Sequence, residues 1–144
     1  MYSKLETAAI GAVVIENSIA YGNGNGFKMG GEGIAVKHVL RNCLSFNNNS
    51  DGVTSNSNPA IIVENTTSVD NKGINFSFAF YTSAKQQFTA KNNISFRTIA
   101  GAADNVPASI ESDSNYFYNG KESINKNGKA LLKLDFTSVV QPNS

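Results

Sequence analysis

Glu16-Asn17-Ser18-Ile19-Ala20-Tyr21 recurs along the chain as Arg41-Asn42-Cys43-Leu44-Ser45-Phe46, Glu64-Asn65-Thr66-Thr67-Ser68-Val69 and Lys91-Asn92-Asn93-Ile94-Ser95-Phe96. A weaker copy follows at Asp113-Ser114-Asn115-Tyr116-Phe117-Tyr118. The shared template is a charge, Asn, any residue, a mostly apolar residue, a small one and an apolar one. Counted from positions 17, 42, 65, 92 and 114, the spacings are 25, 23, 27 and 22 residues, which are lengths for one coil of a solenoid.

Alternation of apolar residues is the period of a strand with one buried face. Carried straight through each copy, it predicts five inward columns. The first holds Val13, His38, Ile61, Phe88 and Ile110, and the second Ile15, Leu40, Val63, Ala90 and Ser112. The third, Asn17, Asn42, Asn65, Asn92 and Ser114, reads as a buried asparagine ladder, since stacked amides can bond to one another. The fourth holds Ile19, Leu44, Thr67, Ile94 and Tyr116, and the fifth Tyr21, Phe46, Val69, Phe96 and Tyr118.

The outward residue before the ladder reads Glu16, Arg41, Glu64, Lys91, Asp113. Coils stacked about 4.8 Å apart would set opposite charges side by side and fix the register. A second strand in each coil begins at a glycine, in Gly26-Phe27-Lys28-Met29, Gly52-Val53-Thr54-Ser55 and Gly73-Ile74-Asn75-Phe76. With Phe27 and Met29 inward, Lys28 faces out, and Thr54 and Asn75 are expected in its column. No helix-period stripe of useful length is present, so the fold class is all-β: a parallel β-helix of about five coils, right-handed by the usual hand of parallel crossovers. Residues 1–12 read as a lead-in or the remnant of an upstream coil, 13–120 as the coils, and 121–144 as a tail packed on the stack.

Composition narrows the function classes. The 144 residues carry Lys+Arg 12 against Asp+Glu 11, which argues against a basic nucleic-acid surface. No apolar run is long enough to span a bilayer, and the start lacks the plan of a signal peptide. Cys43 is the single cysteine and His38 the single histidine, which disfavours a disulfide framework, a zinc cluster and a Ser-His-Asp triad. His38 reads as a core residue, and Cys43 as a packing or surface thiol in an outward or turn position. Asn23-Gly24-Asn25-Gly26 and Asp51-Gly52 read as turns, since no helix follows to hold a phosphate.

The run Gly22-Asn23-Gly24-Asn25-Gly26-Phe27-Lys28-Met29-Gly30-Gly31 resembles the signature of the pectate lyases of polysaccharide lyase family nine. Asn42-Cys43-Leu44-Ser45-Phe46-Asn47-Asn48, the turn with Gly52 and Asn56, Asn65-Thr66-Thr67 with Asp70-Asn71, and Asn92-Asn93-Ile94-Ser95-Phe96 extend the match across roughly residues 13–136. The resemblance implies a right-handed parallel β-helix, a secreted protein, an acidic polysaccharide partner (polygalacturonate), and cleavage by β-elimination. It implies Lys28 as the proton-abstracting base. It also implies calcium, held in the family by an Asp-Asp-Gly-x-Asp type run ahead of the lysine. Only Glu6 and Glu16 precede Lys28 here, and neither belongs to such a run, so no metal ligand is assigned.

Two readings of that departure stay open: a C-terminal part of a longer lyase whose calcium coils lie upstream, or a truncated relative that no longer catalyses. Beside Lys28, the candidate substrate contacts are Lys37, Thr54, Asn56 and Asn75. Lys37, Arg41, Lys72, Lys85 and Arg97 are the cations that could follow an acidic chain along a groove. The competing class is a non-catalytic β-helix module that binds acidic polysaccharide or serves a structural role.

Overall fold

The computed structural model describes residues 11–30, 33–78, 85–107, 111–118 and 123–126. Three sheets run along the stack. The first is built from β1 (Val14–Glu16), β4 (Val39–Arg41), β7 (Ile62–Glu64), β10 (Thr89–Lys91) and β12 (Glu111–Asp113), all parallel. The second takes β2 (Ile19–Tyr21), β5 (Leu44–Phe46), β8 (Thr67–Val69), β11 (Ile94–Phe96) and β13 (Asn115–Tyr118) in parallel, and ends on an antiparallel strand, β14 (Ser123–Lys126). The third and shortest has β3 (Phe27–Lys28), β6 (Val53–Thr54) and β9 (Phe76–Ser77). The five parallel strands of the first sheet bound four full turns. Beyond β14, the tail expected over 121–144 lies outside the described residues.

In the first sheet the expected columns are in place through the middle coils, while Val13, expected inward at the first coil, is exposed, and Ile110 and the side chain of Ser112 lie outside what is described. Ile15, Leu40, Val63 and Ala90 pair in register and are buried, with His38, Ile61 and Phe88 beside them. Phe27, Met29, Val53, Phe76 and Phe78 fill the core from the third sheet. The charge column is in register too, with Glu16 opposite Arg41, Arg41 opposite Glu64, and Lys91 opposite Glu64 and Asp113. Arg41 Nε donates to Glu16 Oε2 at 2.6 Å across two half-exposed side chains, a contact that adds at most about 1 kcal/mol.

The columns beyond the first bend are a correction. Asn17, Asn42, Asn65 and Asn92 are exposed, not buried. Each has a positive φ, between 48° and 54°, and Ser114 in the same column has 51°. A residue in the left-handed region turns the chain without advancing the in-out alternation, and Asn is the non-glycine residue that best tolerates it. The inward set therefore shifts by one. Ala20, Ser45, Ser68 and Ser95 face the interior, while Ile19 and Tyr21 are 66% and 61% exposed. Tyr21 stacks on Phe46 outside the barrel of the coil, with centroids 5.2 Å apart. In the expected ladder column, Asn65 Nδ2 still donates to Asn42 Oδ1 at 3.2 Å, on the surface.

Buried asparagine ladders do exist, one residue or one bend away. At the first bend Cys43, Thr66, Asn93 and Asn115 point in. There Asn93 Nδ2 donates to Asn115 Oδ1 at 2.9 Å, and Cys43 is a buried thiol whose Sγ donates to Arg41 O at 3.2 Å. Burial pushes that thiol's pKa up. At the second bend Asn48 and Asn71 are buried and bonded to each other and to the turn backbone.

Candidate functional site

The third sheet positions the site. The interior is crowded where its strands leave the second bend. A Cβ on Gly26 would collide with Ser45 Oγ and Gly52 O, and one on Gly52 would collide with Ser68 Oγ and sit 2.5 Å from Asn71 Nδ2. Each glycine lets the chain pass the ladder and enter the strand with Phe27 or Val53 inward, so that Lys28 and Thr54 turn outward in register.

In the next coil Asn75, not Gly73, occupies the place of Gly52, since Gly52 N donates to Ile74 O and Val53 N to Asn75 O. The partner of Thr54 is therefore Ser77. This corrects the expected column of Lys28, Thr54 and Asn75. Asn75 is fully buried, with Nδ2 donating to Ser95 Oγ and Phe96 O and Oδ1 accepting from Asn71. It presents no atom to the outside.

Lys28, Thr54 and Ser77 form the floor of an open polar groove of about 250 Å³. Asn25, Ser50 and Asp51 close it at the end of the preceding bend, and Asn56 and Ser57 at the other end. The far wall is shaped by backbone. Asn56 and Ser57 both have positive φ, 44° and 71°, the Asn56 N–H donates to Thr54 Oγ1 at 3.2 Å, and a Cβ on Gly30 would strike the Asn56 side chain. On the near wall Asp51 Oδ1 accepts the Ile74 N–H at 2.9 Å.

Of the sequence-derived candidates, Lys28, Thr54 and Asn56 come together in this groove. Lys37 is an exposed residue between buried Val36 and His38, and is not among the groove's lining residues. Among the other cations, Arg97 is buried. Its Nη1 donates to Asn71 O at 2.8 Å and its Nη2 to Gly73 O. Ser77 is hidden from the sequence because Gly73 imitates Gly52 while Asn75 holds the corresponding place. The buried amide that replaces the glycine at 75 leaves no mark that spacing alone could detect. Asp51 was visible only as half of an Asp-Gly turn.

The groove offers hydroxyls, amides, one ammonium and one carboxylate. Calcium takes six to eight oxygen ligands, several of them carboxylate. Asp51 is the only carboxylate among the lining residues, and one of its oxygens is already taken by main chain. Among the described residues no group of three or more His, Cys, Asp or Glu could hold an ion. The described residues do not fit a resident calcium.

A stack of three parallel sheets, with outward side chains of the shortest sheet flooring a polar groove, defines the chain as a parallel β-helix protein. The family described as "Pel9A-like, right handed beta helix region" matches residues 7–93, and the chain belongs to it. It is 37% identical to a pectate lyase L of Thermoclostridium stercorarium over 94% of this chain and 12% of that one. It is 38% identical to a pectate lyase L of Paenibacillus polymyxa over 97% of this chain and 33% of that one. It is 41% identical to a pectate disaccharide-lyase of Dickeya chrysanthemi over 81% of this chain and 16% of that one. The chain thus spans between about an eighth and a third of the length of these relatives. No solved structure gives a significant match.

Proposed function

We infer that this chain carries the base-bearing part of a lyase that cleaves polygalacturonate, with Lys28 as the base. The observation that supports this reading most is the placement of Lys28. It lies on the floor of an open polar groove, in strand register with Thr54 and Ser77, so a ligand along the coil axis would meet the three side chains in turn.

In this reading Lys28 Nζ takes the proton from C5 of a galacturonate unit. The C5–H electrons form the C4–C5 double bond, and the C4–O4 bond breaks with its electrons on O4, which takes a proton from water as the sugar beyond is released. The base must be neutral to accept the proton. Thr54, Ser77 and Asn56 supply donors and acceptors that orient the sugar, and Lys37 remains a proposed contact for a chain extending past the groove. Asn75, being buried, has no such part. Calcium is the family's expected partner for the substrate carboxylates, and polygalacturonate as substrate makes the protein extracellular.

One observation favours a second reading, a non-catalytic module that binds acidic polysaccharide: a single carboxylate lines the groove. Incubation with polygalacturonate and calcium, followed by ultraviolet absorbance of the unsaturated product, separates the two. A rise abolished in Lys28→Ala supports the base. No rise, with retained binding of polygalacturonate, supports the module.

A further inference from the structure

Two Asn-Gly pairs stand side by side between β2 and β3, Asn23-Gly24 and Asn25-Gly26, and the fold holds them in opposite ways. The main chain of Asp51 clamps the second pair. The Gly26 N–H donates to Asp51 O at 2.9 Å, and the Asp51 N–H donates to Asn25 Oδ1 at 3.1 Å. Gly26 is buried. The first pair is exposed on both residues. The pair is tied through its main chain, the Asn23 N–H donating to Asn48 Oδ1 at 3.0 Å, the Asn23 carbonyl accepting the Asn49 N–H at 2.7 Å and the Gly24 carbonyl accepting the Ser50 N–H at 2.6 Å. Among the described residues, neither the Gly24 N–H nor the Asn23 side-chain amide has a hydrogen-bond partner.

An asparagine followed by glycine has an intramolecular reaction open to it. The glycine nitrogen attacks the side-chain carbonyl carbon. A new C–N bond forms, the bond to the amide nitrogen breaks, and that nitrogen leaves as ammonia with the proton the backbone nitrogen gave up. Water then opens the cyclic imide at one of its two carbonyls, giving aspartate or isoaspartate. Glycine favours the step because, without a Cβ, it lets the backbone reach the attacking geometry. The step also needs a backbone N–H free of its acceptor and an amide free to rotate.

We propose that Asn23 is a site of spontaneous deamidation and that the Asp51 clamp protects Asn25. Either product sets a new carboxylate two residues from Asn25, which lines the groove. The isoaspartyl product also adds a methylene to the main chain between the Asn23 N–H and carbonyl, which hold Asn48 and Asn49. That loosens the end of the second-bend ladder.

The test is incubation of the intact chain in mildly alkaline buffer, with conversion at each asparagine followed over time by tandem mass spectrometry. Asn23 is expected to convert at least about tenfold faster than Asn25, because the attacking N–H and the side-chain amide are both hydrogen-bonded at the second pair and neither is at the first. In denaturant the two rates should converge. Gly24→Ala, whose added Cβ meets nothing within 4 Å, should slow conversion at Asn23. Equal rates in the folded chain would overturn the proposal, as would Asn23 persisting while the denatured chain converts, or a rate indifferent to Gly24→Ala.

Discussion

Asn71 Oδ1 accepts both the side-chain Nδ2 of Asn48, at 2.7 Å, and the Asn48 main-chain N–H, at 3.1 Å. One carbonyl oxygen thus fixes the side chain and the backbone of the preceding coil. Asn71 Nδ2 passes the connection on to Asn75 Oδ1 and Ser68 Oγ. Asn71→Ala would strand the buried Asn48 donors on one side and take a donor from Asn75 Oδ1 and Ser68 Oγ on the other, at about 3 kcal/mol of stability. Urea unfolding, with a lowered midpoint and an unchanged slope, is the measurement.

Gly52 lies where no side chain fits, hemmed by Ser68 Oγ, Asn71 Nδ2 and Asn75 O. Gly52→Ala should cost about 2 kcal/mol or more through overpacking against a satisfied network. Gly22 is the comparison: a Cβ there meets nothing, but its φ of 67° makes a side chain strained, at about 1 kcal/mol. The larger loss at Gly52, read from the two melting curves, separates crowding from backbone strain.

How far this network was legible in the sequence depends on one dihedral. The coil period, the first-sheet columns and the alternating charges are carried by side-chain type, and each is found where spacing puts it except at Val13, which the first coil leaves exposed. The sign of φ at Asn17, Asn42, Asn65 and Asn92 is not carried by hydropathy. An amide that recurs at a bend has two physical uses, a buried ladder or a left-handed turn, and here the turn prevailed. The same one-residue shift moved Ile19 and Tyr21 outward and brought Cys43 inward. In the groove, Lys28 and Thr54 were legible from their glycines, while Ser77 was not, because Asn75 stands in for a third glycine.

His38 is buried, and its Nδ1 accepts the Val13 N–H at 2.9 Å. Desolvation lowers its pKa in the folded chain. The unfolded chain therefore binds the proton more readily. Stability is fully present above the unfolded value of about 6.5 and falls as pH drops through it toward the lowered folded value. His38→Gln should flatten that acid limb in denaturant titrations run at a series of pH values.

Arg41 lies between Glu16 and Glu64 in the outer charge column. Arg41→Glu would align three carboxylates on neighbouring strands, costing about 1 kcal/mol, and salt should recover much of it. An effect insensitive to salt would point to lost packing of the arginine stem instead.

Lys28 is half-buried on an outer face. Lys28→Ala should change unfolding free energy by less than about 1 kcal/mol. A melting curve close to that of the parent chain would assign any loss of lyase activity to the missing amine.

The serines facing inward from the second sheet constrain how this architecture can vary. Ser45 Oγ donates to Gly52 O and Ser68 Oγ to Asn75 O, each at 3.0 Å and each across seven residues. That corner has the same length in two coils whose overall repeats differ, 23 residues from Asn42 to Asn65 and 27 from Asn65 to Asn92. The difference must be absorbed after the third sheet, on the far side of the groove floor. Insertions, grafted loops and the divergence of related chains therefore have one permissive flank and one forbidden corner, and the flank that tolerates novelty follows directly from the strands that carry Lys28, Thr54 and Ser77.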